Sequence, residues 1–350
     1  MSDEAQRVSE FGQFKSVKRK TITFSQTSLV ETSYLDPATR FPLVIRPCVD
    51  TVNLVIWAAN NRSFIEDQLL QHGAILFRGF KVRSAASFQD FIEAVSGASL
   101  EYMERSSPRS QISGHIYTST DYPPDQVIFL HNEQSYNLTF PMKIYFYCEK
   151  EAEEGGETPI ADCRKVIKRI SPQILDRFRQ NKYMYVRNYE KGVGLSWQEV
   201  FQTTSPGQVE EYCLKNQIEW EWKTGGRLRT RQVREVTARH PRSGEEIWFN
   251  HMTFFHKGTL SEEVREAMEA EYGEEGMPNQ TYYGDGREIE REVMEEIREA
   301  YEEEKVKVKW ERGDVMMLDN MMSSHGRERY RGERKVLVGM AEPFTRDENK

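Results

Sequence analysis

Cysteine is scarce in this 350-residue chain. Cys48, Cys148, Cys163 and Cys213 stand far apart, with no CxxC pair among them. That excludes a disulfide-stapled scaffold and predicts an intracellular protein with reduced thiols. Long apolar runs are missing as well. Stretches such as Ala74 to Phe77 fall far short of the roughly 20 residues that cross a bilayer, so no membrane contact is expected. Met1 to Gln26 is charged and lacks the apolar core of a secretory signal, which points to a cytoplasmic location. There is no excess of basic charge. Forty-eight basic against 56 acidic residues leave −8, which argues against a general nucleic-acid binder. No internal repeat is visible, and no linker rich in Pro, Gly or Ser divides the chain.

Aromatic residues are plentiful. Eighteen Phe, 16 Tyr and 6 Trp offset a hydrophobic content of 38%, so a chain of this length can bury a substantial core without staples. Asn53 to His72 has helical spacing and ends at Gly73, a C-terminal glycine cap. Ala74 to Phe80 reads as a buried strand. Ser87 to Val95 reads as a helix capped by Ser87. From residue 100 to 165 the pattern is β, with strands at Gln126–Leu130, Met142–Cys148 and Thr158–Ala161. Ser171 to Arg179 is a helix with Pro172 at its first position. Tyr183 to Tyr189 is a strand, and Val233–Ala238 and Glu246–Phe249 flank a turn-rich hairpin. Two charge-rich helices follow, Ser261–Tyr272 with Ser261 as N-cap and Glu288–Glu304. The strands Val306–Trp310, Asp314–Leu318 and Lys335–Met340 close the chain. Early helices, many short central strands and late helices predict an α+β protein around a β-sandwich or barrel.

One short motif carries chemistry. In Phe129-Leu130-His131-Asn132-Glu133, residues i and i+2 of an extended segment share a face. His131 and Glu133 can therefore offer an imidazole and a carboxylate to one ion. His325, in Ser323-Ser324-His325-Gly326-Arg327 after an apolar strand, is the best candidate for a third ligand. Two histidines and one carboxylate leave open positions on iron, as in the non-haem Fe(II) oxygenases. Taken alone, His-x-Glu is a weak signal that more often marks an ordinary surface or core hydrogen bond. The order of motifs gives it weight: an early His-x-Glu, a distal histidine, then an arginine opening a terminal strand. A dicarboxylate chelating iron needs a cation at its far end, and the planar fork of arginine suits that task.

A wider set of segments supports the same reading. Tyr117-Thr118-Ser119-Thr120-Asp121-Tyr122-Pro123 precedes His131-Asn132-Glu133-Gln134-Ser135-Tyr136, and Gly155-Gly156-Glu157-Thr158-Pro159-Ile160-Ala161-Asp162 follows. Later come His240-Pro241 through Asn250, Tyr283-Gly284-Asp285-Gly286, and Gly313-Asp314 through Asp319-Asn320 to His325-Gly326-Arg327, ending at Ala341-Glu342-Pro343. From about residue 40 to residue 344 the chain resembles the Fe(II)/2-oxoglutarate-dependent oxygenases of the taurine dioxygenase superfamily. Within it, the chain looks most like the SyrP-like branch, found with antibiotic and siderophore biosynthesis.

The resemblance implies a double-stranded β-helix (jelly roll) core with flanking helices and a helical insertion at about 261–304. It implies His131, Glu133 and His325 as iron ligands, with Fe(II), 2-oxoglutarate and O2 as reactants. It implies that Thr158 helps hold 2-oxoglutarate and that an arginine clamps the distal carboxylate. Arg334 and Lys335 are adjacent there and point to opposite faces of a strand, so only one can serve. Arg334 is the choice, because a bidentate clamp favours arginine. In this family, members that halogenate lack the carboxylate ligand, so Glu133 implies hydroxylation of an unactivated C–H bond, with desaturation as the alternative. The substrate implied is an amino acid or a derivative of one, free or tethered to a carrier protein; whether the chain forms a homo-oligomer stays open. Ligands at 131, 133 and 325 require residues 26–350 to form a single domain behind a flexible tail, residues 1–25.

Other residues have two readings each. Asn250, His251 and His256 are either near the substrate or structural. Arg327 either reaches the site or pairs with an acidic neighbour. Arg105 and Arg109 could bind a substrate carboxylate. Arg227, Arg229, Arg231 and Arg234 are either a solvated strand or a dock for an acidic carrier. The competing classes are a zinc hydrolase on the same ligands and a non-catalytic binding protein. No HExxH motif supports the first, and the intact triad counts against the second.

Overall fold

The structure, a computed structural model, describes residues 29–98, 111–119, 122–189, 194–260, 262–273 and 276–346. The expected tail, Arg105, Arg109 and Ser261 lie outside them.

Strict alternation builds the core. In the strand Thr139–Lys150, Ile144, Phe146 and Cys148 point one way, and Tyr145 and Tyr147 the other. The strand Val315–Asp319 divides in the same manner, with Met316 and Leu318 on one face and Val315 and Met317 on the opposite one. Both strands are central in an eight-stranded sheet, ordered Val30–Asp36, Phe41–Pro47, Ala74–Phe77, Val315–Asp319, Thr139–Lys150, Lys335–Thr345, Ile116–Thr118, Gln111–Ser113. The Tyr145 face is covered by the early helices through Trp57, Ile65, Phe88 and Phe91. The Phe146 face packs on Ile160 and Val308 of a second sheet. That sheet has four strands, ordered Lys305–Val308, Thr158–Asp162, Ser323–Arg327, Ile128–His131. Its outer face is sealed by helices carrying Val166, Leu175, Ile297 and Tyr301, against Leu130 and Ala161. Two sheets with one shared interior and helices outside are the jelly-roll arrangement. No described helix is long and apolar enough to cross a membrane.

Several expected boundaries shift. Asn53–His72 is two helices, Leu54–Asn60 and Arg62–His72, because Asn61 leaves helical geometry and donates its side-chain amide to the Trp57 carbonyl. The next helix is Ala85–Ser96, and Ser84 caps it, accepting from the Ser87 amide. Ala85 and Ala86, good helix formers, carry the helix two residues further toward its N-terminus. Val233 and Arg234 belong to the strand Arg227–Arg234, so the hairpin is Thr237–Arg239 with Glu246–Trp248. Within 261–304, the helices Glu262–Tyr272 and Arg291–Glu304 enclose the strand Asn279–Tyr283, which pairs with Tyr183–Tyr189.

Candidate metal centre

The four-stranded sheet places two histidines face to face. His325 sits in the interior strand Ser323–Arg327, opposite His131 on one side and Ile160 on the other. Their rings lie 4.5 Å apart, centroid to centroid. The strand Ile128–His131 ends at His131, and the chain turns through Asn132–Ser135 with Gln134 at φ 52°. Glu133 lies just past the end of the strand, where that turn begins. Ligand atoms of His131, Glu133 and His325 all lie within 4.8 Å of one another, and all three residues are buried.

The tautomer of His131 follows from its surroundings. Its Nδ1 lies 2.8 Å from the Phe129 carbonyl oxygen, which can only accept. The proton is therefore on Nδ1, and Nε2 keeps its lone pair for a metal. Phe254 and His251 pack on the His131 ring at 4.8 and 4.9 Å, and Phe146 lies 5.1 Å from the His325 ring. His251 donates from Nδ1 to the Asn132 carbonyl at 2.9 Å. Burial, reinforced by His131, holds its pKa well below the usual imidazole range, so it is neutral.

A cavity opens beside the two histidines. Ser119, Phe146, Thr158, Arg327, Arg334 and Val336 contribute to its lining. Arg334 donates from Nε to the Gly156 carbonyl at 2.9 Å, and its terminal nitrogens reach Ser119 Oγ at 3.3 Å and Thr158 Oγ1 at 3.5 Å. The indole of Trp310 also donates to Thr158 Oγ1, at 2.9 Å. With its lone pairs so engaged, the Thr158 hydroxyl keeps its proton for an acceptor in the cavity. Lys335 points to the opposite face and pairs with Glu149 at 2.7 Å.

Arg327 is buried and donates to three backbone carbonyls, those of Tyr122, Pro123 and Gln126. It thus pins the segment that leads into the His131 strand, and pairs with no acidic neighbour among the described residues. Its Nε is buried with no hydrogen-bond partner among the described residues. Among the described residues, neither Arg327 nor Arg334 has a carboxylate within ion-pair distance. Burial, and then Arg327 nearby, lower the Arg334 pKa to about 10. A buried and a half-buried guanidinium, with no counter-ion among the described residues, call for an anion between the sheets. Two imidazoles and a carboxylate beside such a cavity fit a first-row divalent ion with open positions.

Other candidates sit elsewhere. Asn250 bridges the Val236 carbonyl and the Met252 amide, so it shapes the turn into the short helix Met252–Phe255. His256 accepts from the Gly258 amide. The basic stretch is not an exposed patch. Arg234 is buried and donates to the carbonyls of Tyr136 and Asn216, Arg229 is buried against Asn188, and Arg231 pairs with Glu221. Trp310 and Phe254 escaped the sequence reading, since an indole donor and a ring contact leave no motif.

A jelly roll with this three-residue centre defines a non-haem oxygenase scaffold. The family model described as Taurine catabolism dioxygenase TauD, TfdA family matches residues 40–341. The dapdiamide synthesis protein DdaC of Enterobacter agglomerans is 41% identical over 279 residues, covering 80% of this chain and 85% of that one. A clavaminate synthase-like protein of Arabidopsis thaliana is 29% identical over 320 residues, covering 86% and 93%. Among solved structures, PvcB, an Fe, alpha-ketoglutarate dependent oxygenase from an isonitrile synthetic pathway, is similar at TM-score 0.55 and 14% identity, covering 91% of this chain and 93% of that one. A further PvcB structure, from Pseudomonas aeruginosa, gives TM-score 0.54 at 14% identity over 89% and 90%. The chain belongs to the TauD, TfdA family and is an oxygenase.

Proposed function

We propose that this oxygenase uses Fe(II) and 2-oxoglutarate to hydroxylate an unactivated C–H bond of an amino-acid-like small molecule in specialised metabolism. His131, Glu133 and His325 hold the iron, and Arg334 with Thr158 holds the distal carboxylate of 2-oxoglutarate. The observation that carries this reading is the convergence of three buried ligand residues beside a cavity whose two arginines have no carboxylate partner among the described residues. Relationship to a protein named for dapdiamide synthesis supports the metabolic setting.

Bound iron would couple oxidative decarboxylation of 2-oxoglutarate to oxidation of the substrate. The protein's share is positional. Arg334 supplies fixed charge, and its bond to Gly156 holds the guanidinium in place. The Thr158 hydroxyl donates to the same carboxylate. Phe146 and Val336 keep the co-substrate pocket partly apolar, which strengthens those contacts. Phe254 and His251 pack on the His131 ring and hold its orientation. Glu133 occupies the position that halogenating relatives leave vacant, which favours hydroxylation.

The test is a turnover screen of Fe(II)-loaded protein with 2-oxoglutarate across amino acids, free and thioester-linked. Succinate formation with a product gaining one oxygen atom supports the reading. Absence of 2-oxoglutarate consumption with every substrate, matched by an indifferent Glu133→Ala, refutes it.

A further inference from the structure

His131 and His325 are fixed by strand ladders, but Glu133 lies in a turn, beyond the end of its strand. Something else must hold its main chain. The fully buried side chain of Asn320 meets the Glu133 peptide edge-on. The Glu133 amide donates to Asn320 Oδ1 at 2.8 Å, and Asn320 Nδ2 donates back to the Glu133 carbonyl at 2.9 Å. A second bond from Nδ2 reaches the Pro141 carbonyl at 2.8 Å. This reciprocal pair is what a neighbouring antiparallel strand supplies, delivered here by a carboxamide where no strand is available.

Asn320 is itself anchored. Its amide donates to the Met142 carbonyl at 2.8 Å, and its carbonyl accepts from Asn132 Nδ2 at 2.7 Å. The preceding Asp319 accepts from the amides of Met321 and Met322, each at 3.0 Å, and from His240 Nε2 at 3.0 Å. Its chemistry is specific. Only a planar group with one acceptor and two donors satisfies an amide and two carbonyls, and aspartate would set an oxygen against both carbonyls.

We infer that Asn320 is the positioning residue for the metal's carboxylate ligand: its carboxamide fixes the Glu133 peptide so that the carboxylate converges with the two imidazoles. This rests on the reading of Glu133 as a ligand. Groups that orient a ligand cost roughly 10–100-fold in metal affinity when removed.

The experiment titrates the metal-free full chain with Mn(II), following free Mn(II) by electron paramagnetic resonance, for wild type, Asn320→Ala and Asn320→Asp. Melting of each metal-free protein is measured alongside. The expected result is a roughly 10–100-fold weaker Mn(II) affinity for the folded variants. An unchanged affinity with only a lower melting temperature assigns Asn320 a purely structural role and overturns the inference. Wild type that binds no Mn(II) overturns the metal-site reading and this inference with it. If neither variant folds, hydrogen exchange of the Glu133 amide in the metal-free wild type decides. Strand-like protection upholds the inference, and exchange at the rate of an open turn overturns it.

Discussion

His325 stands directly opposite His131 in the ladder between two strands, with the ring centroids 4.5 Å apart. The spacing of the two proposed metal ligands is therefore set by the backbone ladder between their strands. Replacing either histidine removes a donor without disturbing the ladder. His131→Ala and His325→Ala should each weaken Mn(II) or Fe(II) affinity beyond the roughly 10–100-fold cost of lost supporting bonds. Calorimetric metal titration checks this, with an unchanged circular dichroism spectrum as control.

The residue after His325 tests the same ladder from another side. A Cβ at Gly326 would collide with the Ile128 carbonyl oxygen, a backbone atom that cannot step aside. Gly326→Ala should push the two histidine strands apart and destabilise the chain by roughly 1–3 kcal/mol. The melting temperature should fall, and metal affinity should fall with it.

Arg334 and Lys335 are neighbours with opposite fates. Arg334 faces the cavity, while Lys335 pairs with Glu149 outside it. A charged hydrogen bond contributes about 1.5–3 kcal/mol, so Arg334→Met should raise KM for 2-oxoglutarate by roughly 10–100-fold. Lys335→Met should leave KM unchanged. Steady-state kinetics with varied 2-oxoglutarate distinguishes them.

His256 should make stability pH-dependent. Its ring accepts a hydrogen bond from the Gly258 amide, and burial, with Lys257 and Arg298 nearby, lowers its pKa from 6.5 to about 4. The folded chain thus disfavours the imidazolium that the unfolded chain accepts. The contribution is complete above pH 6.5 and is lost as pH falls toward about 4, on the order of 3 kcal/mol. His256→Asn can still accept from Gly258, and it should melt with a shallower dependence on pH over that window.

The proposed metal ligands were legible because histidine is scarce in this chain and the motifs around residues 131 and 325 fall in a telling order. The position of Glu133 two residues after His131 suggested a shared face at a strand end; the strand stops at His131 and Glu133 opens the turn that follows. The alternation of Met142–Cys148 and the cap at Gly73 were readable because they obey local rules. The partners of Thr158 and Glu133 were not. Trp310 and Asn320 reach them across more than 150 residues, and such contacts depend on how sheets register, which no window of sequence records. Arg234 misled for a related reason: charge suggests solvent, yet its guanidinium is buried among backbone carbonyls.

Anaerobic titration of the protein with Fe(II) and 2-oxoglutarate tests the central claim most directly. A weak visible charge-transfer band should appear only when both are present, and it should be lost in His131→Ala and weakened in Arg334→Met. No band with wild type, while zinc alone supports turnover, would contradict the account.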